Sequence, residues 1–266
     1  MTPIDTTIAA PAVLTTAEFH AAVLDLAPRV AVFDCDGTLW SGDAGSGFMR
    51  WTIDRGLLSP EAIAWLDTRY RGYLAGQVSE LDICGQMVQV YRGIPDSAMR
   101  AAAADFFSTE IAPRIFPEMQ ALIADLQSRS VEIWAVSSTN DWVIEEGVRR
   151  FNIPPSRVLA ARVAIAEGIV TDQLLDVPTD EGKVASLARA GITAPDAVFG
   201  NSIHDAAMLA IAHGANGSNG AFPVNPTPAL IELSAQQRWP VYYPTSVAPS
   251  TEPVPAAGPS AGEPRG

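Results

Sequence analysis

Two cysteines in 266 residues, Cys35 and Cys84, are too few for a disulfide framework and fit a reducing compartment. The three histidines form no metal-like cluster with them, which excludes a zinc centre of the Cys/His type. No apolar run reaches the ~20 residues that a bilayer-spanning helix needs. The N-terminus has no basic stretch, and Asp5 stands where a secretory leader wants lysine or arginine, so none is expected. Bases are scarce: 17 against 30 acids, a net charge of −13. Such a surface repels duplex nucleic acid and anionic membranes, so neither is expected as a general partner. The expectation is a soluble cytoplasmic protein.

Apolar residues make up 48% of the chain and charged residues 18%, enough for a sizeable core and against overall disorder. At ~150 residues per domain, the length allows one large domain or two unequal ones. Residues 1–14 are expected to be loose. Thr15 and Glu18 form a capping-box pattern ahead of a helix over 16–27. Residues 29–33 (RVAVF) read as a strand buried on both faces, as in a parallel sheet. From 43 to 112 no strand-like run occurs, and four helices are expected: 45–55, 59–74, 79–91 and 95–107. The α/β alternation then resumes, with helices over 117–129, 141–151, 181–190 and 205–213. Strands are expected at 131–136, 197–199, 221–224 and 239–242, with a hairpin at 158–175 turning on Glu167-Gly168. Residues 244–266 hold six of the 21 prolines and read as a disordered tail. The expected fold is α/β: a three-layer, Rossmann-like, mainly parallel core over 15–42 and 113–243, with an inserted all-helical unit over 43–112.

The strongest chemical signal follows the first strand: Asp34-Cys35-Asp36-Gly37-Thr38. On an extended strand, carboxylates two apart point to opposite faces. At a strand end the chain turns, Gly37 permits the turn, and both can face one pocket. Open α/β sheets place their ligands at this end of the strands.

This pattern resembles the haloacid dehalogenase superfamily in its phosphatase branch, and three further motifs match in order. They are Ser137 after the strand IWAV, Lys183 in Asp180-Glu181-Gly182-Lys183, and Gly200-Asn201-Ser202-Ile203-His204-Asp205 after AVF. The resemblance covers about 29–235. It implies that Asp34 is the nucleophile that forms an aspartyl phosphate, and that Asp36 is the general acid and then the base. It implies that Ser137, the Ser138 amide and Thr38 contact the phosphoryl group, and that Lys183 neutralises its charge. Mg²⁺ would be bound by Asp34, the Asp36 main-chain carbonyl and Asn201, with Asp205 holding a metal water or the lysine. An amide oxygen is an acceptable Mg²⁺ ligand, but Asn201 stands where the family pattern has an acid and removes one negative charge.

The implied function is a Mg²⁺-dependent phosphatase acting on a small phosphomonoester. Three alternatives stay open: a phosphotransferase or mutase, a catalytically weak binding protein of the same fold, and a dehalogenase. Asp36 and the four-residue spacing from Asn201 to Asp205 weigh against the last. The helical insert resembles the cap of the phosphoserine phosphatase-like group. By that resemblance Asp43, nine residues beyond Asp34, would meet a substrate amine; its position equally suits a helix N-cap. Met87 falls where a carboxylate-binding arginine is expected. The insert is rich in rings: Trp40, Phe48, Trp51, Trp65, Tyr70, Tyr73 and Tyr91. An acid with aromatics suits a cationic phosphomonoester such as phosphocholine. The same rings also suit the insert's own core.

Overall fold

The computed structural model describes residues 9–214 and 219–245. Its centre is a six-stranded sheet in the order β5-β4-β3-β2-β6-β7. The strands are β2 (Val30–Phe33), β3 (Glu132–Asn140), β4 (Val158–Ala166), β5 (Ile169–Asp176), β6 (Ala197–Gly200) and β7 (Ala221–Pro223). Every pairing is parallel except β4 with β5, the expected hairpin. Glu167 and Gly168 both adopt positive φ at its tip, which a tight two-residue turn requires.

Side-chain alternation along β2 separates two apolar layers. Ala31 and Phe33 join one cluster with Ile133, Ala135 and Phe199. Val32 joins the other with Trp134, Val136 and Val198. The first layer is covered by α1 (Thr16–Asp25), α6 (Pro117–Ser128) and α7 (Asp141–Val148). The second is covered by α8 (Glu181–Arg189), α9 (Ala206–Ala210) and α10 (Pro228–Gln237). Strands apolar on both sides, with helices on each, give the three-layer arrangement.

The helices between β2 and α6 are α2 (Ala44–Asp54), α3 (Pro60–Leu74), α4 (Glu80–Gln89) and α5 (Asp96–Phe106). Phe48, Trp51, Val88, Tyr91, Met99 and Phe106 from this insert belong to the same cluster as the sheet. Only Met49, Leu66, Val78 and Ile83 form a small cluster of their own. The α4–α5 linker is also bonded to the hairpin: Gly93 N donates to Val170 O at 2.8 Å, and Val170 N donates to Ile94 O at 2.9 Å.

Several elements differ from expectation. Val13–Leu14, expected to be loose, form β1 and pair in parallel with β8 (Val241–Tyr242) outside the main sheet. Edge pairing satisfies backbone groups that composition alone does not assign. Thr245, expected in the disordered tail, donates through N and Oγ1 to Glu118. The expectations for 1–8 and 246–266 lie outside the described residues. β3 does not stop at Val136 but runs through Ser137-Ser138-Thr139-Asn140 with a register shift against β4. Asn140 then caps α7, accepting from Val143 N at 3.0 Å.

Asp141 follows as the first residue of α7. Burial, and then the Glu145 charge, push its carboxyl up to about 7, and its Oδ1 is buried without a hydrogen-bond partner. The folded state thus holds a proton that the unfolded chain releases near pH 4. Stability contributed by this group is greatest below that value and falls as pH rises toward 7. Asp141→Asn should therefore gain roughly 2–4 kcal/mol over the parent at pH 8 and little at pH 4. Urea unfolding at the two pH values measures the difference.

Candidate active site

The parallel register sets β2 between β3 and β6, with Phe33 opposite both Ala135 and Phe199. The carboxyl ends of three adjacent strands therefore open on one edge, bringing Asp34, Ser137 and Asn201 together. With Asp36, Ser138 and Lys183 they line a cavity of about 460 Å³.

Asp34 ends β2 and is 5% exposed. Its Oδ2 accepts from Thr38 Oγ1 at 2.9 Å and its Oδ1 from Lys183 Nζ at 2.7 Å. Burial and the Asp205 charge push its carboxyl up, while Lys183 and Thr38 pull it back. Lys183, in the first turn of α8, is the only lysine in the chain. Its ammonium bridges Asp34 and Asp205 Oδ1, the latter at 2.5 Å. Burial alone would lower its affinity for the proton, but the two carboxylates more than offset this and hold it charged.

Asp36 lies in the turn after β2. Gly37 there has φ +74°, and a Cβ on it would sit 1.9 Å from Asn201 Nδ2. Only glycine meets both constraints. Asp36 Oδ1 accepts from Trp40 Nε1 and Ala44 N, and its Oδ2 accepts from Thr139 Oγ1 at 2.7 Å. Burial, then the Asp43 charge, push its carboxyl up to about 7. Oδ2 is the natural place for the proton, because a hydroxyl can accept as well as donate, whereas an N–H cannot.

Thr38 departs from its expected role, while Asp205 and Asp43 each show one of the two roles left open to them. Thr38, expected against substrate, is fully buried and does not line the cavity; its hydroxyl positions Asp34 instead. Asp205, expected to hold a metal water or the lysine, is fully buried and holds the lysine, with Oδ1 on Lys183 and Oδ2 accepting from Asn201 N and Ser202 N. Its lone pairs are committed to the lysine and the loop, so it positions Lys183. Asp43 lines the cavity but caps α2, accepting from Ser46 N at 3.0 Å and Ser46 Oγ at 2.8 Å. Ser137 and Ser138 line the cavity as expected; Ser137 Oγ accepts from Thr139 N, leaving its hydroxyl hydrogen free to donate.

The sequence reading passed over three lining residues. Thr139 orients Asp36; its signal was the run of four polar residues after IWAV. Asn225 reaches toward Gly37 O at 3.5 Å, and nothing in the sequence marks it. Glu80, on the insert, was hidden as an ordinary first-turn acid of α4.

Among the described residues no three or more His, Cys, Asp and Glu side chains gather as a metal site. Asp34, Asp36 and Asn201 line the cavity, and the oxygens such residues can offer are carboxylate, carbonyl and amide. All are hard oxygens, which suit Mg²⁺.

The family model of haloacid dehalogenase-like hydrolases matches residues 31–210. The chain belongs to this family of hydrolases. Among solved structures, it is similar to a protein of unknown function from Bordetella pertussis Tohama I, at 20% identity and TM-score 0.69 over 81% of this chain and 98% of that one. It is also similar to a phosphoserine phosphatase carrying a phospho-aspartyl intermediate analogue, at 14% identity and TM-score 0.54 over 82% and 94%. A substrate-bound phosphoserine phosphatase gives 14% identity and TM-score 0.54 over 82% and 93%. At these identities the likeness is one of fold. A comparison with curated proteins finds no match. No helix among the described residues is long and apolar enough to cross a membrane.

Removing the ammonium should be costly in a pH-dependent way. Lys183→Met leaves Asp34 and Asp205 buried and unpaired, a loss on the order of 3–5 kcal/mol at pH 8. Asp34, already pushed up by burial, then loses the ammonium that pulls it back, so the variant should recover stability as pH falls toward 5. Chemical denaturation across that range reads the effect, and a pH-independent loss would contradict it.

Proposed function

We propose that this hydrolase is a Mg²⁺-dependent phosphatase acting on a small phosphomonoester through an aspartyl phosphate on Asp34. The observation that carries the reading is the pairing of two unlike carboxyls in one cavity. Asp34 is held against the ammonium of Lys183, and Asp36 is pushed up to about 7 with a hydroxyl on Oδ2. Two acids whose environments give them different protonation suit different roles.

In the first step a carboxylate oxygen of Asp34 attacks phosphorus and the ester P–O bond breaks. The departing alkoxide takes the Asp36 proton. In the second step water attacks phosphorus, its proton passes to the Asp36 carboxylate, and the P–O bond to Asp34 breaks. Lys183 holds Asp34 and faces the charge of the phosphoryl oxygens. The Ser137 hydroxyl and the Ser138 amide are the donors for those oxygens. Mg²⁺ would be held by Asp34, the Asp36 carbonyl and Asn201, and when bound would supply neutralisation of the phosphoryl charge. Asn225 Nδ2 donates to Gly37 O at 3.5 Å, on the turn that carries Asp36.

Phosphate release from p-nitrophenyl phosphate, with Mg²⁺ titrated and with chelator added, tests the reading. Turnover should require the metal, and Asp34→Asn should lose at least about 10³-fold. Retained activity in that variant would show the nucleophile to be elsewhere.

Asp36 gives a second expectation. An alkyl ester needs its proton, so its rate should fall as pH rises above about 7, where Asp36 ionises. p-Nitrophenolate leaves without help, so its rate should fall less over the same range. Asp36→Asn should likewise cost the alkyl ester more than the aryl ester, and parallel losses would remove Asp36 from the acid role.

A further inference from the structure

The end of the cavity away from Asp34 is built by the helical insert. Tyr70 and Tyr73 come from α3, Glu80 and Cys84 from α4, and His204 from the loop after β6. Four of the rings noted in the sequence are unavailable there. Trp40 and Phe48 are fully buried, Trp51 is nearly so, and Trp65 faces solvent at 45% exposure. Tyr91 is buried with its hydroxyl against Thr52 Oγ1 at 3.0 Å. The rings left at the wall's accessible end are Tyr70 and Tyr73, 6.1 Å apart by centroid. Burial raises both phenols, and at Tyr73 a hydrogen bond to Glu80 and then the Glu80 charge raise it further, so both rings stay neutral.

Glu80 is the unusual member. Its Oε1 accepts from Cys84 Sγ at 3.4 Å. Its Oε2 is buried and has no hydrogen-bond partner. The nearest cationic candidate is His204 Nε2 at 3.8 Å, too long for a hydrogen bond. That imidazole is already engaged through Nδ1 with Asp180 Oδ1 at 2.8 Å. Asp43 brings a second carboxylate to the same cavity, but both its oxygens accept from Ser46. No arginine lines the cavity. Arg50 acts on the Tyr70 phenol from outside, and lines a neighbouring cavity instead. Arg69 donates to Gln86. Lys183 is spent on Asp34 and Asp205.

The geometry points to a cationic nitrogen as the occupant of this end: the substrate is the phosphate monoester of an amino alcohol that carries no carboxylate. An ammonium group would supply the donor that Glu80 Oε2 lacks, and two neutral phenol rings flank it as cation–π partners. A carboxylate on the same carbon skeleton would face Glu80 and Asp43 with no arginine to meet it. This rests on the phosphatase reading above, but it places recognition on Glu80, outside the reacting groups.

The test compares isosteres. Propyl phosphate differs from O-phosphoethanolamine only in a methyl for the ammonium, and 3,3-dimethylbutyl phosphate stands in the same relation to phosphocholine. For the parent enzyme with Mg²⁺, kcat/KM should favour at least one cationic ester over its neutral isostere by tenfold or more. O-Phosphoserine should fall at least tenfold below O-phosphoethanolamine. Glu80→Gln keeps the size of the side chain and should cut the cationic-to-neutral ratio at least fivefold. The same four esters are then bound to Asp34→Asn by competition calorimetry, which needs no turnover. A preference for the cationic esters there, lost in Asp34→Asn/Glu80→Gln, supports the site even if no ester is hydrolysed, in which case the phosphatase reading alone falls. Equal kcat/KM and equal binding for cationic and neutral esters would overturn the cation site while leaving the phosphatase intact. A ratio unchanged by Glu80→Gln would overturn it too.

Discussion

A single ammonium group organises the site. Lys183 sits between Asp34 and Asp205, all three at most 5% exposed. One positive charge among two negatives leaves the buried cluster one charge short of balance. Burial makes that deficit expensive, and it appears as the upward push on Asp34. Asp36, if protonated, adds nothing to the count. An incoming phosphoryl dianion would add two more negative charges. No arginine lines the cavity to meet them, and the proposed divalent cation would. Asn201 is compatible with the same count: an aspartate there would deepen the deficit before any substrate arrived. As a proposed Mg²⁺ ligand, the amide would offer a hard oxygen without charge, at the cost of weaker attraction for the metal.

The sheet is what makes so much of this legible. Residues 29–33, 131–136 and 197–199 are short apolar runs that fit only strands buried on both faces. Once they are parallel neighbours, the polar residues that follow each run must share one edge. The sheet order agrees with the resemblance that puts Asp34, Ser137 and Asn201 in one site. Lys183 is legible only from its place in the order of the resembling motifs. It is the only lysine in a chain with 16 arginines. A compact point charge that can sit between two carboxylates is a different tool from a planar guanidinium fork.

The rest was not legible, and the reasons are local. Thr38 follows the aspartates directly, but the turn folds its hydroxyl back on Asp34, because Thr38 N and Leu39 N both donate to Cys35 O. Asp43 has the right offset for a binding residue and also the right position for a helix cap, and the cap takes its oxygens. Thr139 depends on β3 running four residues past its apolar stretch, which periodicity does not foresee. Val13–Leu14 depend on a partner more than 220 residues away. Glu80 looked like any acid in a helix's first turn, where the macrodipole favours one. Only the packing of α3 and α4 shows that one of its oxygens is enclosed.

The two ends of the cavity draw on different parts of the fold. The reacting groups stand on strand ends fixed by the sheet's backbone ladder and by a layer of aromatic contacts, among them Phe33 stacked on Phe199 at 4.2 Å. The selective end stands on α3 and α4, whose shared apolar cluster is small and separate from the main one. α2 and α5 flank that pair, both packed into the main cluster, and the α4–α5 linker is bonded to the β4–β5 hairpin. α4 also packs against β3, β4 and β5 and puts Val88 in the main cluster, so the fewest ties to the core fall on α3, which carries Tyr70 and Tyr73. Packing energy holds the chemistry rigid, and the weaker tie falls on the surface that substrates must pass. Changes in what α3 and α4 present can alter the leaving group accepted without disturbing Asp34, Asp36 or Lys183.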